Sequence, residues 1–344
     1  MNIKYKLSAV LIIVLTMFFG QAIFTEISKY VSQFVLTSLI SHSAPILVCE
    51  KTEVNLSKIV FGFDINKPLE IIQNETVSAD NTDVNVVSKT IETPIIQTYD
   101  TSAGVKIKNS TDYEIDVDTL INQDLKFRIS DSEPSVLIIH THTSESYLKT
   151  EDINYESSDS NRTQNPDFNV IRIGKEFKDA LQSKGVISIH DTTVHDYPSY
   201  NGSYLNAQKT IEDNLKKYPS VKIVVDIHRD AVESNGNVYK LATSIDGKKA
   251  AQVMIVSGTD ANGIDNPNWR ENLKFALKYQ RRLNLLFPTL ARDIDLRRER
   301  FNTHLTLGSI ILEVGTTGNT LEEAIYSARL CGIALGDMLS YITD

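Results

Sequence analysis

The chain has 344 residues, 41% of them hydrophobic and 23% charged, which suits a folded protein of one large domain or two smaller ones. Its formal net charge of −9 excludes the basic surface that nucleic acid demands. Two cysteines, Cys49 and Cys331, supply neither a disulfide framework nor a metal cluster, and Cys331 falls in an apolar helical pattern that suits a buried free thiol.

Lys4 and Lys6 precede an uncharged, mostly apolar run from Leu7 to Phe24. As a helix it would span roughly 27 Å, about the thickness of a bilayer core. Residues 1–24 therefore read as a cytoplasmic tip and a transmembrane signal anchor, with the lysines inside and the rest of the chain outside the cytoplasm. A cleaved signal peptide, with Gly20-Gln21-Ala22 as its site, is the alternative. Residues 25–103 read as an extracytoplasmic helix followed by an acidic stalk. Between 51 and 102 there are four lysines against eight acids, and no sustained hydrophobic period. A small β module is the competing reading of that stretch.

From residue 104 to 344 strand and helix patterns alternate. Val105–Ile107 and Tyr113–Val117 suggest short strands, and Val136 to Ile139 is an unbroken apolar run that fits a strand buried on both faces. Ile173, Phe177, Ala180 and Leu181 lie on one helix face, stopped by Gly185. Strands follow at 186–190, 221–227 and 251–256, with a helix around Ile211 and Leu215 that ends before Pro219. A long helix from Trp269 to Leu286, a strand at 309–312 and a closing helix from Leu321 to Leu339 complete the series. Thr320 and Glu323 stand at capping-box spacing at the start of that last helix. The alternation predicts an α/β fold, a mostly parallel sheet with helices on both faces.

The polar residues cluster at strand ends. The first core strand runs into His140-Thr-His142-Thr-Ser-Glu145, the second into Asp226-Ile-His228-Arg-Asp230, and the third into Glu313-Val-Gly315. Open α/β sheets place their active sites at these carboxyl ends. Imidazole and carboxylate are the ligands zinc takes when it keeps a position open for water. His142, Glu145 and His228 make one such set, with Glu313 as the general base. His140 either replaces His142 or orients a ligand. In an extended backbone His140 and His142 would face the same side, so spacing alone does not choose between them. Ser144 has no Gly-x-Ser-x-Gly setting, which argues against a serine hydrolase.

Five stretches in order resemble the stage II sporulation protein P family: His140–Tyr147, Thr193–Pro198, Asp226–Ala231, Trp269–Ala276 and Ile311–Thr320. The resemblance covers roughly residues 104 to 344. It implies a zinc-dependent peptidoglycan hydrolase with N-acetylmuramoyl-L-alanine amidase and endopeptidase activity, acting in septal thinning and engulfment during sporulation. It also implies stage II sporulation proteins D and M as partners. The Ile227-His228 and Leu312-Glu313-Val314-Gly315 contexts are similar, more distantly, to the zinc amidases of bacterial cell separation, which supports Glu313 as base. Those amidases carry a Pro-Gly-His-Gly-Gly turn where this chain has His140 to Glu145. The family pattern also calls for an arginine near Tyr204-Leu205-Asn206, and none is present.

Three further residues are candidates for holding substrate. His195 could meet the scissile carbonyl or the glycan, Arg229 a stem-peptide carboxylate, and His304 the oxyanion. Each has a structural alternative, as a turn or core hydrogen bond. His190 reads as structural, Trp269 as core, and Arg297, Arg298 and Arg300 as a solvated basic face. The rival functions are an endopeptidase confined to peptide cross-links and a wall-binding module without catalysis.

Overall fold

A computed structural model of the protein describes residues 85–88, 104–150, 157, 161–234 and 237–343, all within one of the chain's two units, Phe63–Asp344. The expected anchor at 1–24 lies outside the described residues. Among the described residues no helix is long and apolar enough to cross a membrane. Of the expected stalk, β1 (Asn85–Ser88) is described, and it is a strand.

In chain order there follow β2 (Ile107–Asn109), α1 (Val117–Asn122), β3 (Val136–Ile139), α2 (Val170–Ser183), β4 (Ser188–His190), α3 (Ser203–Lys217) and β5 (Ile223–Asp230). Four short strands come next: β6 (Glu233–Ser234), β7 (Asn237–Lys240), β8 (Ala242–Ile245) and β9 (Lys248–Ala251). The chain then forms β10 (Val253–Gly258), α4 (Trp269–Leu286), β11 (Ile294–Arg297), β12 (Gly308–Thr316) and α5 (Leu321–Leu339). The α4 and α5 boundaries are those the sequence pattern predicts. The capping box is present, with Thr320 accepting from the Glu323 amide and Glu323 reaching back to the Thr320 amide.

The expected strand at Tyr113–Val117 is not formed. Asn109 and Thr111 side chains accept from the amides of Thr111 and Tyr113, closing a turn, and Asp116 then caps α1 by accepting from Thr119. These local side-chain acceptors offer the backbone an alternative to a ladder. β11 and the β6–β9 hairpins were not visible in the sequence pattern, being short and of mixed polarity.

The main sheet has seven strands in the order β2-β11-β10-β12-β5-β3-β4. Neighbours are parallel except at β10–β12. That junction has a connectivity cause. Between β5 and β10 the chain makes only hairpins, with no crossover helix, so β10 re-enters from the end at which β5 left. β1 lies in a separate small sheet, parallel to β7.

Side chains of the central strands alternate between two apolar layers. Val136, Ile138, Ile223, Val225 and Ile227 join the large core with α2, α4 and α5. Leu137, Ile139 and Val224 join a small core with Ala207 and Ile211 of α3. Each fully buried Val, Leu or Ile contributes about 1.5–3 kcal/mol of transfer free energy. On the large-core side α2 and α5 pack closely, because Gly332 faces Ala180. A Cβ at Gly332 would sit 2.6 Å from the Ala180 Cβ and the Phe177 carbonyl. On the α3 side the cover stops at β5. Beyond it, Tyr204 of α3 and Phe301 line a pocket with residues of β12, β10 and β11, and the polar strand ends lie at that face.

Candidate active site

Period-two alternation puts Asp226, His228 and Asp230 of β5 on the α3 side. β12 runs alongside in parallel, with Glu313 paired to His228 and Ile311 to Asp226. The third contribution comes from β3. Its strand ends at Ile139, and residues 141–144 form a tight turn. Thr141 fastens this turn to β5, its amide and hydroxyl donating to the two Asp226 oxygens at 2.8 and 2.5 Å.

The turn separates the two histidines. His142 swings onto the α3 side, where its ring meets the His228 ring edge-on at 5.2 Å between centroids. Tyr200 stacks on it at 4.4 Å with its hydroxyl 3.0 Å from Nε2, and Tyr204 meets it edge-on. Glu145 returns from the end of the turn. Its Oε2 lies 3.5 Å from His228 Nδ1 and accepts from the Arg229 amide at 3.1 Å. Asp226 Oδ1 lies 3.0 Å from His228 Nε2, without the alignment of a hydrogen bond.

His140 stays behind, on the large-core side. It is fully buried, with Nδ1 donating to the Ile227 carbonyl at 2.9 Å and Nε2 2.8 Å from His190 Nε2. A Cβ on Gly174 of α2 would sit 2.6 Å from the His140 Nε2, so the helix closes this niche. The expectation that both histidines face one side is therefore not met, because the backbone turns rather than continuing extended. The structure brings His142, Glu145, His228 and Glu313 together and leaves His140 out.

The three expected substrate-holding residues are also apart from this cluster or already engaged. His195 is buried, with Nδ1 donating to the His140 carbonyl and Nε2 2.9 Å from the Thr210 hydroxyl. Arg229 donates from Nε to the Ser146 carbonyl and from Nη2 to the Asn161 carbonyl, which fixes the loop carrying Glu145. A guanidinium so engaged is a strut and not a free anion clamp. His304 lies in a short turn, Thr303–Leu305, beside the charges of Arg300, Glu212 and Asp265. Trp269 is buried and stacks on Tyr113 at 4.8 Å.

The electrostatics follow from burial and neighbours. Burial holds His142 down to about 4, and His140 to about 3. Burial works against a charged His228, but the Asp226 and Glu145 carboxylates outweigh it and raise the imidazole well above its usual value. Burial would raise Glu145, yet His228 and Arg229 lower it to about 2. At Glu313, burial and the Glu145 and Asp230 carboxylates outweigh the downward pull of the His228 and Arg292 charges. Burial pushes its carboxyl up to about 8.

Three buried polar atoms of the cluster have no hydrogen-bond partner: His142 Nδ1, His228 Nε2 and Glu313 Oε2. Unpartnered buried atoms are rare and costly, and an absent ion or ligand is one standing explanation. The two imidazoles together with the Glu145 carboxylate are a donor set suited to zinc, so the residues fit that ion, with Glu313 left beside them. Among the described residues, no three His, Cys, Asp or Glu side chains already converge at coordinating distance on one point.

Sequence reasoning missed four residues here. Asp226 was signalled by its position two before His228, on the same face of the strand. Arg162 was not, since it arrives from a loop. It donates to Asp196 at 2.9 Å and Ser144 at 3.1 Å, and its Nη2 lies 3.7 Å from Glu145. Tyr200 and Tyr204 flank His142 from the α3 end, where the sequence shows only aromatic residues in a turn.

Among solved structures the chain is similar to the CwlD amidase from Clostridioides difficile, determined in complex with the GerS lipoprotein, with a TM-score of 0.38 and 15% identity over 60% of this chain and 99% of that one. It is also similar to an N-acetylmuramoyl-L-alanine amidase from Clostridium difficile 630, with a TM-score of 0.37 and 21% identity over 61% of this chain and 97% of that one. In sequence it is 26% identical over 214 residues to Stage II sporulation protein P of Bacillus subtilis (strain 168). That alignment covers 59% of this chain and 50% of the relative, so the chain spans about half the length of the curated protein it matches. The family match itself runs over residues 39–335, across all three strand ends that build the cluster, and the chain belongs to the stage II sporulation protein P family.

Proposed function

We propose that this protein is a peptidoglycan hydrolase that cleaves the amide between N-acetylmuramic acid and L-alanine, with stem-peptide cross-links as a second substrate. The observation that carries the reading is the pairing of Glu313 with His228 across β12 and β5. It sets an unpartnered carboxylate oxygen beside two buried imidazoles on an open sheet face. A scaffold protein has no need of that arrangement, since each such atom costs stability. Membership in the sporulation family supports the cell-wall substrate.

In this reading His142, Glu145 and His228 hold a zinc ion. When bound, zinc supplies a water that is nucleophilic at neutral pH and an electrophile for the carbonyl oxygen. The chain's own residues do the rest. Asp226, whose Oδ1 lies 3.0 Å from His228 Nε2, holds negative charge beside the ring without closing a hydrogen bond on that nitrogen. Arg229 fixes Glu145 through its amide and ties down the Ser146 and Asn161 carbonyls. Glu313 Oε2 takes a proton from the attacking water. As the carbon–nitrogen bond breaks, Glu313 returns that proton to the leaving amine, so the step balances with one water consumed. Tyr200 and Tyr204 wall the site on the side of His142 and limit bulk water there.

Family membership supports a reading of the cellular setting. We infer a membrane-anchored enzyme with its hydrolase domain outside the cytoplasm, acting in septal thinning and engulfment with stage II sporulation proteins D and M. The test is digestion of purified peptidoglycan by the full-length protein, with products identified by mass spectrometry. Free stem peptides with new L-alanine amino termini, and no new reducing ends in the glycan, would support amidase chemistry. Cleaved cross-links with no free stems would favour the endopeptidase alone. A folded, zinc-supplemented protein that binds wall and releases nothing would leave a binding module.

A further inference from the structure

The open half of the α3-side face carries a feature that this mechanism does not use. A pocket of about 420 Å³ begins at Glu313 and crosses β12, β10, β11 and β2. The sheet register explains its lining. One row of paired residues runs from Ile311 on β12 to Val256 on β10, Asp295 on β11 and Lys108 on β2. Paired residues in a row face the same side, so this row is the floor of the pocket.

The lining combines apolar Met254, Val256 and Ile311 with charged groups, Asp230 and Arg292 toward Glu313 and Asp295, Arg297 and Lys108 farther along. Two of its polar atoms are buried and unpartnered. One is an acceptor, Asp295 Oδ1, on a residue only 4% exposed. The other is a donor, Arg292 Nε, whose guanidinium is held in place by Asp230 at 2.8 Å. An unpaired donor and an unpaired acceptor in one groove match the two groups that a peptide backbone offers. At the far end stand two cations. Arg297 is braced by Asp295 at 3.5 Å and Glu299 at 3.2 Å, and Lys108 is exposed on the outer strand. From Ile311 to Lys108 is three strand spacings, roughly 14 Å, and Glu313 lies two residues farther along β12, so the groove has the reach of about four extended residues.

We propose that this groove is the binding site for the peptide side of the cleaved bond, and that it takes an extended acidic peptide of about four residues. The Asp295 carboxylate accepts a peptide N–H, Arg292 donates to a peptide carbonyl, and Arg297 and Lys108 receive carboxylates at the distal end. Arg297 and Lys108 are thus specificity-determining residues for stem length and charge. The assignment rests on the hydrolase reading for which bond is cut, but the binding it describes does not require turnover.

The experiment uses the full-length protein as wild type, Arg297→Gln and Lys108→Gln, the last at an exposed position where folding is not at stake. Binding of free stem tetrapeptide is measured by titration calorimetry. The ratio of kcat/KM for N-acetylmuramoyl tetrapeptide to that for N-acetylmuramoyl dipeptide is measured beside it. The expected result is tetrapeptide binding by wild type, weakened about tenfold in each variant, with the ratio falling by a similar factor. Tetrapeptide binding with this dependence in a protein that cleaves no wall would support the groove and sink the hydrolase reading. Wall cleavage by a wild type that binds no tetrapeptide, or whose binding both variants leave unchanged, would overturn the groove and leave the hydrolase reading standing.

Discussion

Two histidine pairs lie on opposite sides of the same strand ends, and they differ in what their nitrogens do. His140 and His190 face each other at 2.8 Å, and the second nitrogen of His140 reaches the Ile227 carbonyl. His142 and His228 sit edge to face at 5.2 Å, and each keeps one buried nitrogen without a partner. The first pair closes a packed niche under α2, whereas the second is open to the α3 side, with Glu313 beside it. Two residues of separation thus divide a histidine with both ring nitrogens engaged from one that keeps a buried nitrogen unpartnered. The difference teaches that satisfaction of the ring nitrogens, more than residue type or motif, marks which histidine is free to react.

The largest effect expected from breaking this contrast is at Glu313. Glu313→Gln keeps shape and removes the proton acceptor, so peptidoglycan hydrolysis should fall by roughly 10²–10⁴-fold. Thermal stability should hold or rise, since a buried carboxylate pushed up to about 8 is replaced by a neutral amide. Hydrolysis rate and melting temperature measured together check both parts, and a fully active Glu313→Gln would remove Glu313 from the mechanism.

On the closed side the effects should appear in stability. Gly174→Ala places a Cβ 2.5 Å from His190 Nε2 and 2.6 Å from His140 Nε2. Overpacking of this kind costs about 1–3 kcal/mol. A denaturant midpoint unchanged from wild type would show that the niche is looser than described. His140→Ala leaves the Ile227 carbonyl without its side-chain donor, again at a cost of about 1–3 kcal/mol.

A smaller effect sharpens the outer edge of the same region. Burial works against a charged Glu176, but hydrogen bonds from Arg329 and Arg172 outweigh it and hold the carboxyl below its usual value. A carboxyl lowered on folding adds stability above its unfolded value of about 4.3, and loses that stability as pH falls through the folded value. The stability gap between wild type and Glu176→Gln should therefore be present at pH 6 and shrink on acidification to about pH 3. Urea denaturation at the two pH values measures it, and a gap that widens in acid would reverse the assigned sign.

Much of this was legible in the sequence where one segment carried a complete signal. Trp269–Leu286 and Leu321–Leu339 have long apolar periods and defined stops, and the structure forms both within those bounds. The alternation in β5 and β12 put His228 and Glu313 at strand ends, on one face. What was not legible depended on partners distant in the chain. The choice between His140 and His142 is made by Thr141 hydrogen-bonding to Asp226, 85 residues away. Arg229 looked free until the Ser146 and Asn161 carbonyls were placed against it. The antiparallel entry of β10 followed from four short strands with too few residues to show a period. The charged groove needed the register of four strands before Lys108 and Asp295 became neighbours.

The most direct test of the account is zinc stoichiometry in the full-length protein, by metal analysis after exhaustive dialysis, for wild type, His142→Ala, His228→Ala and His140→Ala. The account predicts about one zinc per chain in wild type and in folded His140→Ala, and loss of tight binding in the other two. Zinc retained in both His142→Ala and His228→Ala, or lost only in His140→Ala, would contradict it.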